Sequence, residues 1–275
     1  MPVIFVESDE DNYVFGECWF KEQLSRVEFR SAASHCGGFA GCNAVLRAVG
    51  EERSAGNPAW GIVDRDAVMS QDRWDLVHET DDDLFEKAKP FGPEIKTLRR
   101  WEMESYLADV GAMEKCRAEI KMDQARPVPV VQDELLDHCQ ILVPHAAFNA
   151  LCHTYKMDAV GDGWVTRFPS RAAINTAINS QQLPRISPVA LNATVEYAQQ
   201  VAKVDAFDVP GAPSGLRVDG LLRRVHGKAL LMRFSNVHGI NADMKGLLAN
   251  RIKEMARIPL ELVSFVESVA ASNNA

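Results

Sequence analysis

Short apolar runs alternate with helix-like segments along the first hundred residues. The runs are Pro2–Val6, Val27–Arg30, Pro58–Val63 and Ile95–Leu98, and the segment Cys42–Val49 between the second and third has helical periodicity. Apolar runs of this length are typical of buried strands, and strands that alternate with helices indicate a parallel sheet. The pattern therefore predicts an α/β region with a parallel sheet flanked by helices.

Helical periodicity dominates the rest of the chain. Ser187 followed by Pro188 is a typical helix start, with serine as the N-cap and proline at the first helical position. The predicted helices are Trp101–Met113, Leu135–Cys152, Ser187–Val204, Val218–Phe234 and Leu260–Ala270. We therefore expect two domains: an α/β domain over residues 1–110 and a mostly helical region over residues 111–275.

Composition is that of an ordinary globular protein, with 275 residues of which 47% are hydrophobic and 25% charged. The chain contains no run of about 18 apolar residues, so we expect no membrane span and no membrane partner. No N-terminal signal peptide is apparent, and the six cysteines follow no disulfide framework. These features predict a cytoplasmic protein with reduced thiols.

Charge is distributed unevenly along the chain. Residues 1–90 contain 18 acidic against 9 basic residues, whereas residues 211–257 contain 9 basic against 3 acidic ones. An acidic metal site combined with a phosphate-binding surface would produce this asymmetry, although two solvated faces or docking onto an acidic protein would as well. Candidate nucleic-acid contacts in the basic stretch are Arg223, Arg224, Lys228 and Arg233.

Acidic residues follow two of the predicted strands. Glu7 comes directly after the first run, and Asp64 and Asp66 come directly after the third. The carboxyl ends of parallel strands open on one edge, so Glu7 and Asp64 are expected to share a crevice, and Asp66 joins them if the strand continues. Carboxylates this close repel one another, and Mg²⁺ or Mn²⁺ relieves the repulsion and supports phosphodiester hydrolysis. The alternatives are a surface turn at Asp64–Asp66 and a strand-end cap at Glu7.

Other residue groups indicate less. The acidic run Asp81–Asp83 either extends the metal site or, as we expect, caps a helix that begins near Leu84. No cysteines have the paired spacing of a structural zinc site, so zinc is not predicted. Gly227–Lys228 lacks the remaining residues of a P-loop, so the chain is not expected to hydrolyse ATP.

The acidic segments resemble a known family. Phe5–Asp11 and Gly61–Asp66 are similar to the two motifs of the TOPRIM domain, which topoisomerases, primases and OLD-family nucleases share. Arg100–Leu107 and His226–Leu231 are similar to segments of stand-alone TOPRIM nucleases in bacterial anti-phage systems, the branch that includes the AriB-type effector subunits of PARIS systems. The resemblance is specific over about residues 1–110 and loose beyond them.

The resemblance implies roles for individual residues. Glu7 would bind metal or act as the general base, and Asp64 and Asp66 would be metal ligands. Glu104, with Glu102 as the other possible register, and Asp11 would be further ligands. Lys228 would steady the scissile phosphate, although a solvated helix lysine is the alternative reading.

The resemblance also implies a setting. The chain would be a Mg²⁺-dependent endonuclease acting on DNA or RNA, including tRNA, as a toxin effector of antiviral defence. An ABC-type ATPase would be its sensor partner, and the active form would be a homodimer. One departure matters: the family usually has glycine after the strand-end glutamate, where this chain has Ser8. That departure leaves open a catalytically weak TOPRIM-fold binding or sensor subunit.

Overall fold

The computed structural model of the protein describes residues 1–240 and 243–272. Its contacts group the chain into two compact units built from segments that are not contiguous in sequence. The first unit, the sheet unit, comprises Met1–Arg73, Asp81–Arg99 and the described residues from Asp243 onward. The second, the helical unit, comprises Trp74–Thr80 and the described residues from Arg100 to Ile240. The contiguous division near residue 110 stays a prediction, since compactness alone does not define independent domains.

The sheet unit contains a four-stranded parallel sheet. Its strands are β1 (Val3–Val6), β2 (Glu28–Ser31), β3 (Ala59–Val63) and β4 (Ile95–Thr97), in the order β2-β1-β3-β4. Phe5 pairs with Arg30 on one side and with Gly61 on the other. The predicted parallel sheet and its strands are confirmed, each strand to within one residue at either end.

Helices cover both faces of this sheet, which is why its two central strands, β1 and β3, are apolar along their whole length. On one face the helix Cys42–Ser54 buries Ala44, Val45, Ala48 and Val49 in a single stripe. On the other face Phe15 stacks on Phe29 at a ring distance of 6.3 Å. The remaining helices of the unit are Asp9–Asn12, the π-helix Tyr13–Trp19, the 3₁₀ helices Lys21–Gln23 and Arg65–Gln71, and Ala32–His35, Asp82–Ala88, Lys245–Glu254 and Leu260–Ala271.

Two details of this unit bear on the predictions. The Asp81 side chain accepts hydrogen bonds from the backbone N–H groups of Asp83 and Leu84, so the acidic run caps a helix as predicted. The helix Lys245–Glu254 packs on the segment Tyr13–Trp19, and the indole N–H of Trp19 donates to the carbonyl of Ala249 at 3.0 Å. The sheet unit is thus closed by residues from the far end of the chain.

The helical unit is organised around one long helix, Val128–Thr154. Its residues from Leu142 to Cys152 are all buried, and Cys139 is buried one turn earlier. The helices Arg171–Ala177, Ala193–Asp205, Ser214–Leu221 and Gly227–Val237 pack against it. The others are Trp74–Val77, Met103–Leu107, Val110–Lys121, Asp162–Val165, the π-helix Ile178–Gln182 and Leu183–Ile186.

The predicted helix start at Ser187 is wrong. The Ser187 hydroxyl donates back to the carbonyl of Leu183 and follows the helix Leu183–Ile186. The next helix begins after Asn192, whose side chain accepts from the N–H of Val195, while the Glu196 carboxylate accepts from the N–H of Asn192. These two hydrogen bonds satisfy two backbone N–H groups at the start of the helix, which fixes its first residue after Asn192.

Two other predicted helices are each broken in two. Trp101–Met113 is replaced by Met103–Leu107 and Val110–Lys121. The second helix begins after Asp109, whose side chain accepts a hydrogen bond from the N–H of Ala112. Val218–Phe234 is interrupted between Leu221 and Gly227. Across residues 1–240 and 243–272, the helices are all too short or too polar to cross a bilayer.

Candidate functional site

Glu7 and Asp64 lie at the same edge of the sheet. β1 and β3 are adjacent and parallel, and each residue follows its strand directly. The Glu7 carboxylate oxygen Oε1 accepts a hydrogen bond from the backbone N–H of Asp64 at 3.0 Å. Both side chains are half-buried. The expected convergence of these two positions therefore follows from the topology of the sheet.

Asp66 lies in a 3₁₀ helix and not in a continuation of the strand. The strand ends at Val63, and Asp64 begins the 3₁₀ helix Arg65–Gln71, so the extended backbone expected through Asp66 is wrong. Asp66 nevertheless stays in the electrostatic neighbourhood of the other two, because all three carboxylates act on the Cys42 thiol. Burial raises the pKa of Cys42, and the charges of Glu7, Asp66 and Asp64 raise it further, to about 12. We call Glu7, Asp64 and Asp66 the acidic edge.

Cys42 is a further neighbour of the acidic edge. It begins the helix Cys42–Ser54 after Gly41, whose φ of 92° favours glycine. A Cβ at position 41 would lie 3.8 Å from the Glu7 oxygen Oε2. The glycine-containing loop before this helix therefore passes beside Glu7. A thiol with a pKa of about 12 is protonated at neutral pH, so Cys42 is not an activated nucleophile.

Ser8 has a backbone conformation that does not require glycine. Its φ is −136° and its ψ is 168°, which is extended backbone. The Ser8 hydroxyl accepts from the N–H of Asp11, and the Asp11 carboxylate accepts from the N–H of Ser8, both at 3.1 Å. Asp11 thus completes a capping box for the helix Asp9–Asn12. Its role as a metal ligand stays a prediction.

A second acidic group, Glu102 and Glu104, lies in the helical unit together with Lys228. The Glu102 oxygen Oε1 accepts a hydrogen bond from the backbone N–H of Lys228 at 2.6 Å. The Glu104 oxygen Oε1 lies 3.6 Å from the Lys228 ammonium. Both glutamates are buried, whereas the Lys228 side chain is 47% exposed. The similar segments around residues 102–105 and 226–231 therefore meet each other.

Gly227 makes this meeting possible. A Cβ at position 227 would lie 2.3 Å from the backbone nitrogen of Ser105 and 2.6 Å from the carbonyl carbon of Glu104. Real Cβ atoms do not approach backbone this closely, so glycine is required for the two segments to touch. This observation gives the Gly227–Lys228 pair a structural reason that has nothing to do with a P-loop.

Glu102 has a raised pKa because of where it lies. Burial raises the pKa of Glu102 to about 7 and the charge of Glu104 adds to the rise, while His226 and Lys228 oppose it. Glu102 is thus a carboxyl group that takes up a proton near neutrality, and it is anchored to the start of the helix Gly227–Val237. Which of the two glutamates serves as a ligand stays open.

The basic candidates differ in their surroundings. Arg224 is fully buried, and its guanidinium lies 4.1 Å from the ring centroid of Trp101. Arg233 is buried as well and donates to the carbonyl of Phe168 at 2.7 Å and to His138 at 3.1 Å. Arg223 and Lys228 have partly accessible side chains. The guanidinium groups of Arg224 and Arg233 contribute to the packing of the helical unit. The role of all four residues in nucleic-acid binding stays a prediction.

Searches against protein-family models, curated proteins and solved structures found no match to this chain. The class that the geometry itself defines is an α/β protein with a four-stranded parallel sheet and carboxylates at the carboxyl end of two adjacent strands. Any narrower assignment is argued below from the chemistry of the acidic edge.

Proposed function

We propose that the protein is a cytoplasmic, Mg²⁺-dependent nuclease with a TOPRIM-like acidic edge, acting as the effector of an anti-phage system. The observation that carries the proposal is the hydrogen bond between the Glu7 carboxylate and the Asp64 N–H at the end of two adjacent parallel strands. Ligands of open parallel sheets bind outside the carboxyl ends of the strands, which is where these acids lie.

The donor set fits a hard divalent cation. Glu7, Asp64 and Asp66 offer oxygen ligands only, they are close enough to act together on the Cys42 thiol, and the two strand-end acids are half-buried. Oxygen donors are what Mg²⁺ and Mn²⁺ prefer, with substrate phosphate and water completing the coordination. When bound, such an ion supplies Lewis-acid stabilisation and an acidified water.

The chain's own residues have separable tasks in this proposal. Asp64 and Asp66 hold the cation. Glu7, which is oriented by the Asp64 N–H, either shares that task or accepts the proton of the attacking water. The neutral Cys42 thiol lines the site without adding charge. Lys228, Glu104 and Asp11 keep the roles that the family resemblance implies, as do the ABC-type ATPase partner and the active homodimer.

The test is a cleavage assay on single- and double-stranded DNA, RNA and tRNA with Mg²⁺ or Mn²⁺, run with the protein alone and with an ABC-type ATPase encoded beside its gene. We expect Glu7→Gln and Asp64→Asn each to slow cleavage at least ~100-fold, equivalent to about 2.7 kcal/mol in the activation free energy. Asp72→Asn is the matched control, because Asp72 is an exposed aspartate with a φ of 54° that asparagine also adopts.

Cleavage that survives both substitutions would exclude the acidic edge as the active site. Absence of cleavage of every substrate, with either ion and with the ATPase, would instead favour a binding or sensor subunit. Binding of Mn²⁺ followed by its paramagnetic resonance adds a readout independent of substrate, and Asp64→Asn should weaken it.

A further inference from the structure

Three potential metal ligands from separate parts of the helical unit converge on one point. His145 lies in the long helix Val128–Thr154, Asp162 begins the short helix Asp162–Val165, and His226 precedes the helix Gly227–Val237. One ligand atom from each lies within 4.8 Å of the other two. The Asp162 oxygen Oδ1 is 3.0 Å from Nδ1 of His226, and the rings of His145 and His226 are 4.8 Å apart.

The surroundings of His145 decide which of its nitrogens carries the proton. Its Nε2 lies 2.8 Å from the carbonyl oxygen of Val160. A carbonyl oxygen can only accept, so we assign the proton to Nε2, which donates it; the Asn149 amide nitrogen, 3.1 Å from the same Nε2, then donates to the carbonyl and not to the ring. Asn149 holds the same carbonyl in place, because its amide nitrogen donates to Val160 at 3.0 Å and its oxygen accepts from the Val160 N–H at 2.9 Å.

The other nitrogen of His145 is then the one that can bind an ion. A neutral imidazole carries a single proton and offers one lone pair. That proton is on Nε2, which leaves a lone pair on Nδ1. His145 is 1% exposed, and its Nδ1 has no hydrogen-bond partner among residues 1–240 and 243–272. A buried acceptor without a partner needs a specific explanation.

We propose that His145, Asp162 and His226 bind a divalent transition-metal ion of the zinc class. Two imidazole nitrogens and one carboxylate oxygen are the donor set of Zn²⁺, Co²⁺ and Fe²⁺ sites, whereas Mg²⁺ prefers oxygen alone. Three protein ligands leave a coordination position open for water or a further ligand.

Binding of an ion would draw the three ligand atoms closer together. Ligands bound to a tetrahedral ion at about 2.0–2.1 Å lie roughly 3.3 Å from one another. The most distant pair of the three ligand atoms has to close from 4.8 Å at most, and the Asp162–His226 pair is already close. The Val160 carbonyl and Asn149 would form the outer layer that typically orients a ligating histidine through its second nitrogen.

This site is separate from the acidic edge in residues and in chemistry. It contains nitrogen donors, and all of its residues belong to the helical unit. The proposal therefore does not depend on the proposed nuclease activity. The competing interpretation is a plain ion pair between Asp162 and His226, with His145 as a neutral packing residue.

The test is titration of the EDTA-treated full chain with Co²⁺, followed by its visible d–d absorption and by calorimetry, then displacement with Zn²⁺. With millimolar Mg²⁺ present to occupy the acidic edge, we expect one Co²⁺ per chain, which Zn²⁺ displaces and Mg²⁺ does not. His145→Ala and Asp162→Asn should weaken Co²⁺ binding at least tenfold. Asn149→Leu should weaken it ~10- to 100-fold, as is usual for outer-layer residues.

Two matched controls locate the ion. His153→Ala removes another histidine of the same long helix and should bind Co²⁺ like the wild type. Asp72→Asn alters an exposed aspartate outside both proposed metal sites and should also leave Co²⁺ binding unchanged. Circular dichroism establishes that each variant is folded, and Asp162→Asn, which keeps the side-chain shape, serves if His145→Ala does not fold.

Several results would overturn the proposal. These are no d–d absorption in the wild type, equal Co²⁺ affinity in the wild type and in folded Asp162→Asn, or a cobalt–thiolate charge-transfer band, which would assign the ion to a cysteine. Any of them would leave the ion pair as the explanation of the cluster.

Discussion

Substituting Gly227 by alanine tests whether the close approach of two backbone segments builds the Glu102–Lys228 arrangement. The added methyl group would lie 2.3 Å from the Ser105 nitrogen and 2.6 Å from the Glu104 carbonyl carbon. Non-bonded carbon atoms prefer separations of about 3.5–4.0 Å, so one backbone segment must move by an ångström or more. Neither obstacle is a flexible side chain that could rotate away.

The magnitude follows from what this movement disturbs. Overpacking of a buried contact typically costs about 1–3 kcal/mol. The movement also strains the 2.6 Å hydrogen bond from the Lys228 N–H to the buried Glu102 carboxyl group, and a typical intramolecular hydrogen bond contributes about 0.5–1.5 kcal/mol. We therefore expect destabilisation of about 3 kcal/mol. For a protein of this size that corresponds to a fall in melting temperature of roughly 6–12 °C.

The matched control is Gly50→Ala. Gly50 lies inside the helix Cys42–Ser54, and an added Cβ there would meet nothing within 4 Å. Alanine is favoured over glycine inside helices by about 1 kcal/mol, so this variant should be slightly more stable than the wild type. Each variant gains one methyl group, and the difference between them isolates the clash at position 227.

The assay should resolve the two units, because two-state unfolding cannot be assumed for a chain built in this way. Amide hydrogen exchange measured by mass spectrometry should show faster exchange in Met103–Leu107 and Gly227–Val237 of the Gly227→Ala variant, with little change in the sheet unit. A Gly227→Ala variant as stable as Gly50→Ala, with unchanged exchange in both segments, would refute the reasoning.

Three other substitutions test the packing and the charges. Gly61→Ala should destabilise the sheet unit by about 1–3 kcal/mol in urea unfolding, because its Cβ would lie 2.5 Å from Val45 Cγ1; stability equal to the wild type would contradict this packing. Asp81→Ala should cost about 1 kcal/mol and Asp81→Asn much less, since the side chain caps a helix; equal losses would point to charge instead. Burial raises the pKa of Glu114, but hydrogen bonds from Arg117 and Arg126 outweigh it and hold that pKa near 2. This lowered pKa contributes about 3 kcal/mol of stability above pH 4.5, and the contribution is lost as the pH falls towards 2. Acid unfolding of Glu114→Gln should lack that pH-dependent loss, and curves parallel to the wild type would show that other carboxylates cause it.

The sheet could be predicted because each strand is marked by the residues within it and directly after it. β1 and β3 are apolar runs whose ends coincide with acids, and parallel pairing then brings Glu7 and Asp64 to one edge without any further assumption. The position of Asp66 was predicted on the assumption of a continuing strand, which is wrong because the chain turns into a 3₁₀ helix after Asp64. The departure at Ser8 also has a local explanation, since an extended backbone accepts serine and a capping box uses its hydroxyl.

Long-range contacts were beyond prediction from local patterns. His145, Asp162 and His226 have no spacing that marks them as ligands, and they meet only because three helices pack in one unit. The helix start at Asn192 was missed for a different reason. Ser187 is an equally good N-cap by residue type, and the choice depends on the Glu196 carboxylate that reaches back to the N–H of Asn192. Ser187 and Asn192 both match the pattern of a helix start, and the hydrogen bond from the Asn192 N–H to Glu196 decides between them.

The contact between Trp19 and Ala249 has a consequence for the order of events on the ribosome. These residues are 230 positions apart, and at about 5–20 residues per second their synthesis is separated by roughly 10 to 50 s. All four strands have been made long before Lys245–Glu254 emerges, yet the segment Tyr13–Trp19 cannot be covered until it does. A nascent chain therefore keeps the apolar surface of Tyr13–Trp19 uncovered until Lys245–Glu254 has been made. A premature stop before residue 245 would leave that surface exposed to chaperones and proteases.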